Sequence, residues 1–161
     1  MAFLRLFARN PMPASLRHAI AALGNFDGFH LGHQAVAGEA IAQAKAQGRP
    51  AIIATFDPHP VRHFAPDAPP FRLTSLDQRQ MLFEAAGADA MLVFEFDDAL
   101  ANTSAEDFAQ ALLIDRLGLS GVVTGEDFTF GKARRGNLEI LRQHGLTAKA
   151  VPPVTDAGGI I

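Results

Sequence analysis

This sequence predicts a doubly wound α/β domain on a parallel sheet, and three observations lead there. Apolar stretches of strand length alternate with stretches of helical spacing. The strand stretches are apolar almost without interruption, as in strands covered on both faces. Polar or glycine-rich segments follow four of them directly. A chain of 161 residues has room for one such domain and little more.

Five strands are expected, at His18 to Gly24, Ala51 to Phe56, Ala90 to Phe96, Gly121 to Thr124 and Ala148 to Val151. Between the first two, Ala35 to Gln47 places Val36, Ala40 and Ala44 on one stripe beside Ala37 and Ile41, and Gly48 then Pro50 end that helix. A second helix begins near Thr74 and Ser75, where Ser75 and Gln78 have capping-box spacing. It is expected to bury Leu76, Met81, Leu82 and Phe83 before stopping at Gly87. A third opens at Thr103, with Glu106 three residues on, and runs through Leu112, Leu113 and Leu117 to Gly118. The fourth spans Asn137 to His144 and ends at Gly145. The proline-bearing stretch from Asp57 to Pro70 reads as a loop, because helical pattern resumes directly after it. Val154 to Ile161 reads as a connection or a further strand, and the apolar end suggests a truncated chain.

Composition narrows the function classes. With 48% hydrophobic and 19% charged residues the chain is neither disordered nor low-complexity. Fourteen Lys and Arg against 17 Asp and Glu give a net charge of -3, which argues against a broad nucleic-acid or anionic-membrane surface, so any anion site is local. There is no cysteine, which removes disulfides, thiolate metal sites and a Cys nucleophile and fits a reducing, cytoplasmic compartment. Met1 to Leu16 lacks the apolar core of a signal peptide, and no apolar run has the length of a membrane span.

In an open parallel sheet ligands bind outside the carboxyl ends of the strands. The segments expected there are Gly24 to His33, Asp57 to Pro60, Glu95 to Asp98 and Gly125 to Lys132. In the first, glycines at 24, 28 and 32 permit close backbone approach, and Leu31-Gly32-His33 leads into a helix. An anion at that N-terminus meets outward N–H groups and the positive dipole end, with His30 and His33 as directional donors. The segment is neither a Walker A loop nor a Gly-x-Gly-x-x-Gly dinucleotide fingerprint.

Simpler readings compete at each position. The histidines could merely start a helix, Asp57 with Pro58 could be a turn, and Phe128 and Phe130 could fill a core. Lys132, Arg134 and Arg135 could be a solvated loop, and Glu95, Asp97 and Asp98 are ordinary strand-end acids that stay outside the predicted site. Zinc is disfavoured, since Pro58 and Pro60 flank His59 and no His-Glu-x-x-His occurs. No serine has a nucleophile-elbow context.

His-x-Gly-His after a Gly-x-Phe-Asp-Gly turn resembles the signature of the nucleotidyltransferase superfamily, whose fold is Rossmann-like. Gly24 to Gln34, Thr55-Phe56-Asp57-Pro58-His59-Pro60 and Gly125 to Gly131, in that order, together resemble the prokaryotic bifunctional riboflavin kinase/FAD synthetase family in its N-terminal FMN adenylyltransferase module. The resemblance covers nearly the whole chain. It implies transfer of AMP from ATP to FMN, giving FAD and pyrophosphate, with Mg2+ accompanying ATP. It implies His30 and His33 as catalytic donors to the triphosphate, and Gly24, Asn25, Phe26, Asp27 and Gly32 around ATP. On the flavin side it implies Asp57, Pro58, Asp127, Phe128, Phe130, Gly131 and Arg134. It also implies a riboflavin kinase module in the same polypeptide, and a Ser/Thr-rich phosphate clamp ending in Ile-Arg that finds no match before Ile161. The alternatives are a different phosphorylated acceptor, such as pantetheine phosphate, nicotinate mononucleotide or a polyol phosphate, and a nucleotide-binding module without turnover.

Overall fold

The computed structural model describes residues 3–24, 26, 31–57, 75–95, 97–126, 128 and 137–152, with the backbone also at 155–156 and 159–160. Among these, six parallel strands make one sheet in the order β1-β4-β3-β2-β5-β6. The strands are β1 (Leu4–Phe7), β2 (Ile20–Leu23), β3 (Ala51–Asp57), β4 (Ala90–Glu95), β5 (Gly121–Gly125) and β6 (Thr147–Val151). The helices are α1 (Leu31–Gln47), α2 (Leu76–Ala86), α3 (Asp98–Ala101), α4 (Ala105–Asp107) and α5 (Leu138–Gln143). A π-helical stretch, Phe108–Arg116, continues α4.

The expected doubly wound α/β sheet is therefore present, with one strand more than the five anticipated. The added strand is β1, which pairs Leu4 with Ala90 and Phe7 with Val93 at the sheet edge. An edge strand is only half-buried, so it lacks the continuous apolar signature of its neighbours, and Arg5 interrupts it. That arginine is accommodated by α2, where its Nε donates to Gln80 Oε1 at 2.7 Å and its guanidinium pairs with Asp77.

Alternation along the strands makes two cores, one on each face. Ile20, Ala22, Ile53, Met91, Val93 and Val123 meet Val36, Ala37, Ala40 and Ala44 of α1 and Phe83 of α2. Ala21, Leu23, Ile52, Ala54, Leu92, Phe94 and Val122 meet Phe108, Ala109, Leu113 and Leu141 on the opposite side. The chain winds outward from β2 through β3 to β4, then crosses back to β5 and β6. Strand order consequently reverses between β2 and β5, the position where such sheets open a crevice.

Three helices differ in detail from expectation. Helix α1 begins at Leu31 rather than Ala35, which takes Gly32 and His33 into its first turn. Helix α2 has the expected capping box, with Ser75 Oγ accepting from Gln78 N and Gln78 Oε1 accepting from Ser75 N, and it stops at Gly87 with φ 104°. Its inward stripe, however, is Leu76, Arg79 and Phe83, while Met81 and Leu82 are 71% and 39% exposed. Positions three and four apart share a face, so a buried arginine took the place that hydrophobicity alone assigned to its neighbours. The cap of α4 is Ser104, whose Oγ accepts from Asp107 N at 3.1 Å; Thr103 instead donates to Ala99 O and closes α3. The final described residues pair antiparallel, Thr155–Asp156 with Gly159–Ile160.

Candidate active site

Because every strand of the sheet is parallel, the exits of β2, β3, β4 and β5 lie along one edge. At the exit of β2 the chain turns sharply. Gly24 N donates to Ala54 O at 3.3 Å, and Phe26 has φ 49°, a left-handed conformation that non-glycine residues seldom adopt. The Phe26 ring folds back so closely that a Cβ on Gly24 would lie 3.0 Å from Phe26 Cζ, which accounts for glycine there. The ring is 2% exposed and stands edge-on to His33, with centroids 5.3 Å apart and planes at 90°. On its other side it meets Phe83 of α2 at 6.1 Å.

Gly24, Phe26, Gly32 and His33 thus form one unit at the start of a 17-residue helix whose first turn carries no acidic residue. No acidic residue of that described first turn offsets the positive end of the α1 dipole, and the Phe26 ring braces the His33 imidazole beside it. Asn25, Asp27 and His30 lie outside the described residues.

At the exit of β3, Asp57 is opposite Glu95 of β4 in register. Its carboxylate Oδ1 accepts from Arg79 Nη2 at 3.3 Å. Arg79 also donates through Nη1 to Thr55 Oγ1 at 2.9 Å and Phe56 O at 3.3 Å. Residue reading did not single out Arg79. The signal was its central place on the Leu76–Phe83 stripe, where a charge requires partners.

Two other acids at this edge have structural employment. Asp97 Oδ1 accepts from Leu100 N at 2.9 Å and caps α3, and Glu95 pairs with Arg9, whose guanidinium lies 4.7 Å from the Phe7 ring centroid. Between the exits of β1, β3 and β4 lies an open cleft of about 420 Å³, lined by Phe7, Arg9, Asp57, Leu76, Val93, Glu95 and Asp97.

At the exit of β5, Phe128 N donates to Gly125 O at 3.2 Å. Its half-buried ring lies 6.3 Å from Phe56, which stacks on Phe94 at 5.1 Å. Phe56 and Phe94 belong to the core on the α4 side, whereas Asp57 is turned to Arg79 on the α2 side. Asp57 and Phe128 therefore flank the edge of β3 from opposite faces. Pro58, Asp127, Phe130, Gly131 and Arg134 lie outside the described residues, as do Lys132 and Arg135.

A parallel sheet whose strand order reverses between β2 and β5, with a glycine turn leading to its first crossover helix, defines a Rossmann-like α/β domain with its crevice at that reversal. The comparisons with known proteins make this particular. A family model described as FAD synthetase matches residues 12–161, and the chain belongs to that family. It is 35% identical over 130 residues to the bifunctional riboflavin kinase/FMN adenylyltransferase of Pseudomonas fluorescens, covering 81% of this chain and 42% of that protein. To the protein of the same name from Escherichia coli (strain K12) it is 32% identical over 127 residues, covering 79% of this chain and 41% of the relative. The chain thus spans about two-fifths of the length of these curated relatives. A crystal structure described as a macrolide-efflux protein from Streptococcus pneumoniae superimposes with a TM-score of 0.85 at 24% identity, over 100% of this chain and 53% of that one. At that identity the likeness is one of fold.

Proposed function

We propose that this chain is the FMN adenylyltransferase part of a bifunctional riboflavin kinase/FAD synthetase, transferring AMP from ATP to FMN with release of pyrophosphate. The observation that carries the reading is the unit at the start of α1, where Gly24 admits the Phe26 ring and that ring braces His33 at the positive end of the helix dipole. Membership of the FAD synthetase family supports FMN as the acceptor.

The chemistry asks for little more than alignment. The FMN phosphate is already an anionic nucleophile, so neither a strong base nor a covalent intermediate is needed. It attacks the α-phosphorus of ATP, and the bond to the bridging oxygen breaks as pyrophosphate leaves. The protein's work is to hold two anions in line and to stabilise charge on the α-phosphate and the leaving group. His33 and His30 serve as donors to the triphosphate, Gly32 lets the phosphates approach the backbone, and Gly24, Asn25, Phe26 and Asp27 are the further residues of the ATP side. On the acceptor side Asp57, Pro58, Asp127, Phe128, Phe130, Gly131 and Arg134 make the flavin pocket, with Phe128 presenting a ring and Arg134 a charge. Mg2+ accompanying ATP would supply positive charge to offset that of the triphosphate. Among the described residues no group of three or more His, Asp or Glu stands close enough to hold a metal.

The whole of 1–161 is assigned to this domain, with a riboflavin kinase module expected in the natural polypeptide and a cytoplasmic location. No helix among the described residues is long and apolar enough to cross a membrane. The test is incubation with α-labelled ATP, Mg2+ and, in separate reactions, FMN, pantetheine phosphate, nicotinate mononucleotide or a polyol phosphate. Label in the FMN product alone is the expected result. Label in another acceptor's product moves the chain to a different acceptor.

A further inference from the structure

We propose that Arg79 is a positioning residue for the acceptor side of the site, fixing the Asp57 carboxylate at the sheet edge by clamping three successive residues of β3. The inference rests on the reading of Asp57 as an acceptor-pocket residue.

Arg79 is 2% exposed, in the middle of an otherwise apolar stripe between Leu76 and Phe83. A buried guanidinium is costly unless its donors are matched, and a Leu or Met at this place would pack on β3 without that cost. Its donors reach Thr55 Oγ1, Phe56 O and Asp57 Oδ1, three consecutive residues at the end of one strand. Thr55 and Asp57 are two apart and so share the face turned to α2, while Phe56 offers only its carbonyl.

The planar fork therefore fixes both the direction in which β3 ends and the rotamer of the last side chain on it. Asp57 keeps a side-chain exposure of 19%, so the clamped carboxylate still reaches the surface beside the open cleft. Arg79 itself is sealed beneath, and it acts on a ligand only through Asp57.

The experiment measures FMN affinity by flavin fluorescence and MgATP affinity by calorimetry, each on protein whose melting temperature is recorded. The set is wild type, Arg79→Met, Arg79→Lys, Asp57→Asn and the double variant Arg79→Met with Asp57→Asn. Losing charge-assisted bonds of this kind is expected to weaken FMN binding about tenfold in Arg79→Met while MgATP affinity stays as in wild type. In the double variant the losses should not add, because both substitutions remove one device. Arg79→Lys keeps the charge but not the fork and should lie between.

Unchanged FMN affinity in Arg79→Met, an equal loss for FMN and MgATP, or additive losses in the double variant would each overturn the inference. If Arg79→Met does not fold, Arg79→Lys decides by the same comparison of FMN with MgATP. Wild-type protein that fails to bind FMN removes the acceptor reading and this inference with it. Wild-type binding with an unaffected Arg79→Met removes this inference alone.

Discussion

Phe26 meets His33 edge to face, 5.3 Å between ring centroids, from a backbone held at φ 49°. The contact joins the turn after β2 to the first turn of α1. It makes a core residue responsible for where an imidazole stands. Phe26→Leu keeps an apolar side chain at the site but gives up ring volume and two edge-on contacts, and should cost about 1–3 kcal/mol of stability by urea denaturation. With His33 in its proposed role, turnover should also fall by up to about 10²-fold, because displacement of a catalytic group by about 1 Å is enough for that. Unaltered turnover in a stably folded Phe26→Leu would show that His33 needs no brace.

His33→Ala removes the proposed triphosphate donor and leaves the brace. The expected result is a fall in kcat of about 10²–10³ with FMN affinity unchanged, since a transition-state donor contributes little to acceptor binding. Steady-state kinetics with FMN titrated at saturating MgATP separates the two quantities. Equal effects on kcat and on FMN affinity would contradict the division of the site into triphosphate and flavin sides.

Gly24→Ala places a methyl group 3.0 Å from Phe26 Cζ in a ring that is 2% exposed. The ring cannot swing outward without leaving the core that also holds Phe83. A loss of about 1–3 kcal/mol is expected from overpacking, read as a lower urea midpoint at unchanged slope. A displaced ring alters the contact that braces His33, so with His33 in its proposed role turnover should fall beyond what the fraction unfolded explains.

Ser75→Ala removes one half of the capping box that starts α2. The cost should be about 1 kcal/mol, again as a midpoint shift in urea. Since α2 carries Arg79, FMN affinity in the folded variant should be nearly wild type as long as the helix keeps its seat on β3.

The pair between Glu39 of α1 and Lys149 of β6 gives a pH prediction. Lys149 Nζ donates to Glu39 Oε1 at 2.7 Å, and this bond, with a second from Gln43, holds the Glu39 carboxyl below its ordinary value. A carboxyl lowered in the folded state adds stability above its unfolded pKa, and that contribution is lost as pH falls through the folded one. Glu39→Gln should therefore match wild type most closely at acid pH and fall behind it at neutral pH. The gap should be below about 1 kcal/mol, because both groups meet solvent. Urea midpoints at pH 3 and pH 7 check it, and an equal gap at both would assign the effect to packing instead.

Much of this architecture was legible in the residues because most of its strands are buried on both faces. Ala51 to Phe56 and Ala90 to Phe94 are nearly all apolar and nearly all buried, and the glycines at 48, 87, 118 and 145 mark helix ends with positive φ. Strand β1 was hidden because an edge strand needs only one apolar face and Arg5 finds its partners 72 and 75 residues away. Arg79 was hidden for a related reason: nothing local shows that Thr55, Phe56 O and Asp57 converge on it from another element. At the site, the glycine turn after β2 was legible in the sequence, while the place of Phe26 required knowing that its ring turns back under Gly24. Phe128 stood equally between core and pocket in the sequence, and its half-buried place beside Phe56 shows why a single ring can look like both.

The central claim is tested most directly by FAD formation from FMN and MgATP, followed by the change in flavin fluorescence and confirmed by separating the products. Wild-type chain is expected to form FAD together with an equal amount of pyrophosphate, and His33→Ala to form it about 10²–10³ times more slowly. Binding of both substrates with no FAD from the wild type, or FAD formed equally fast by His33→Ala, would contradict the account.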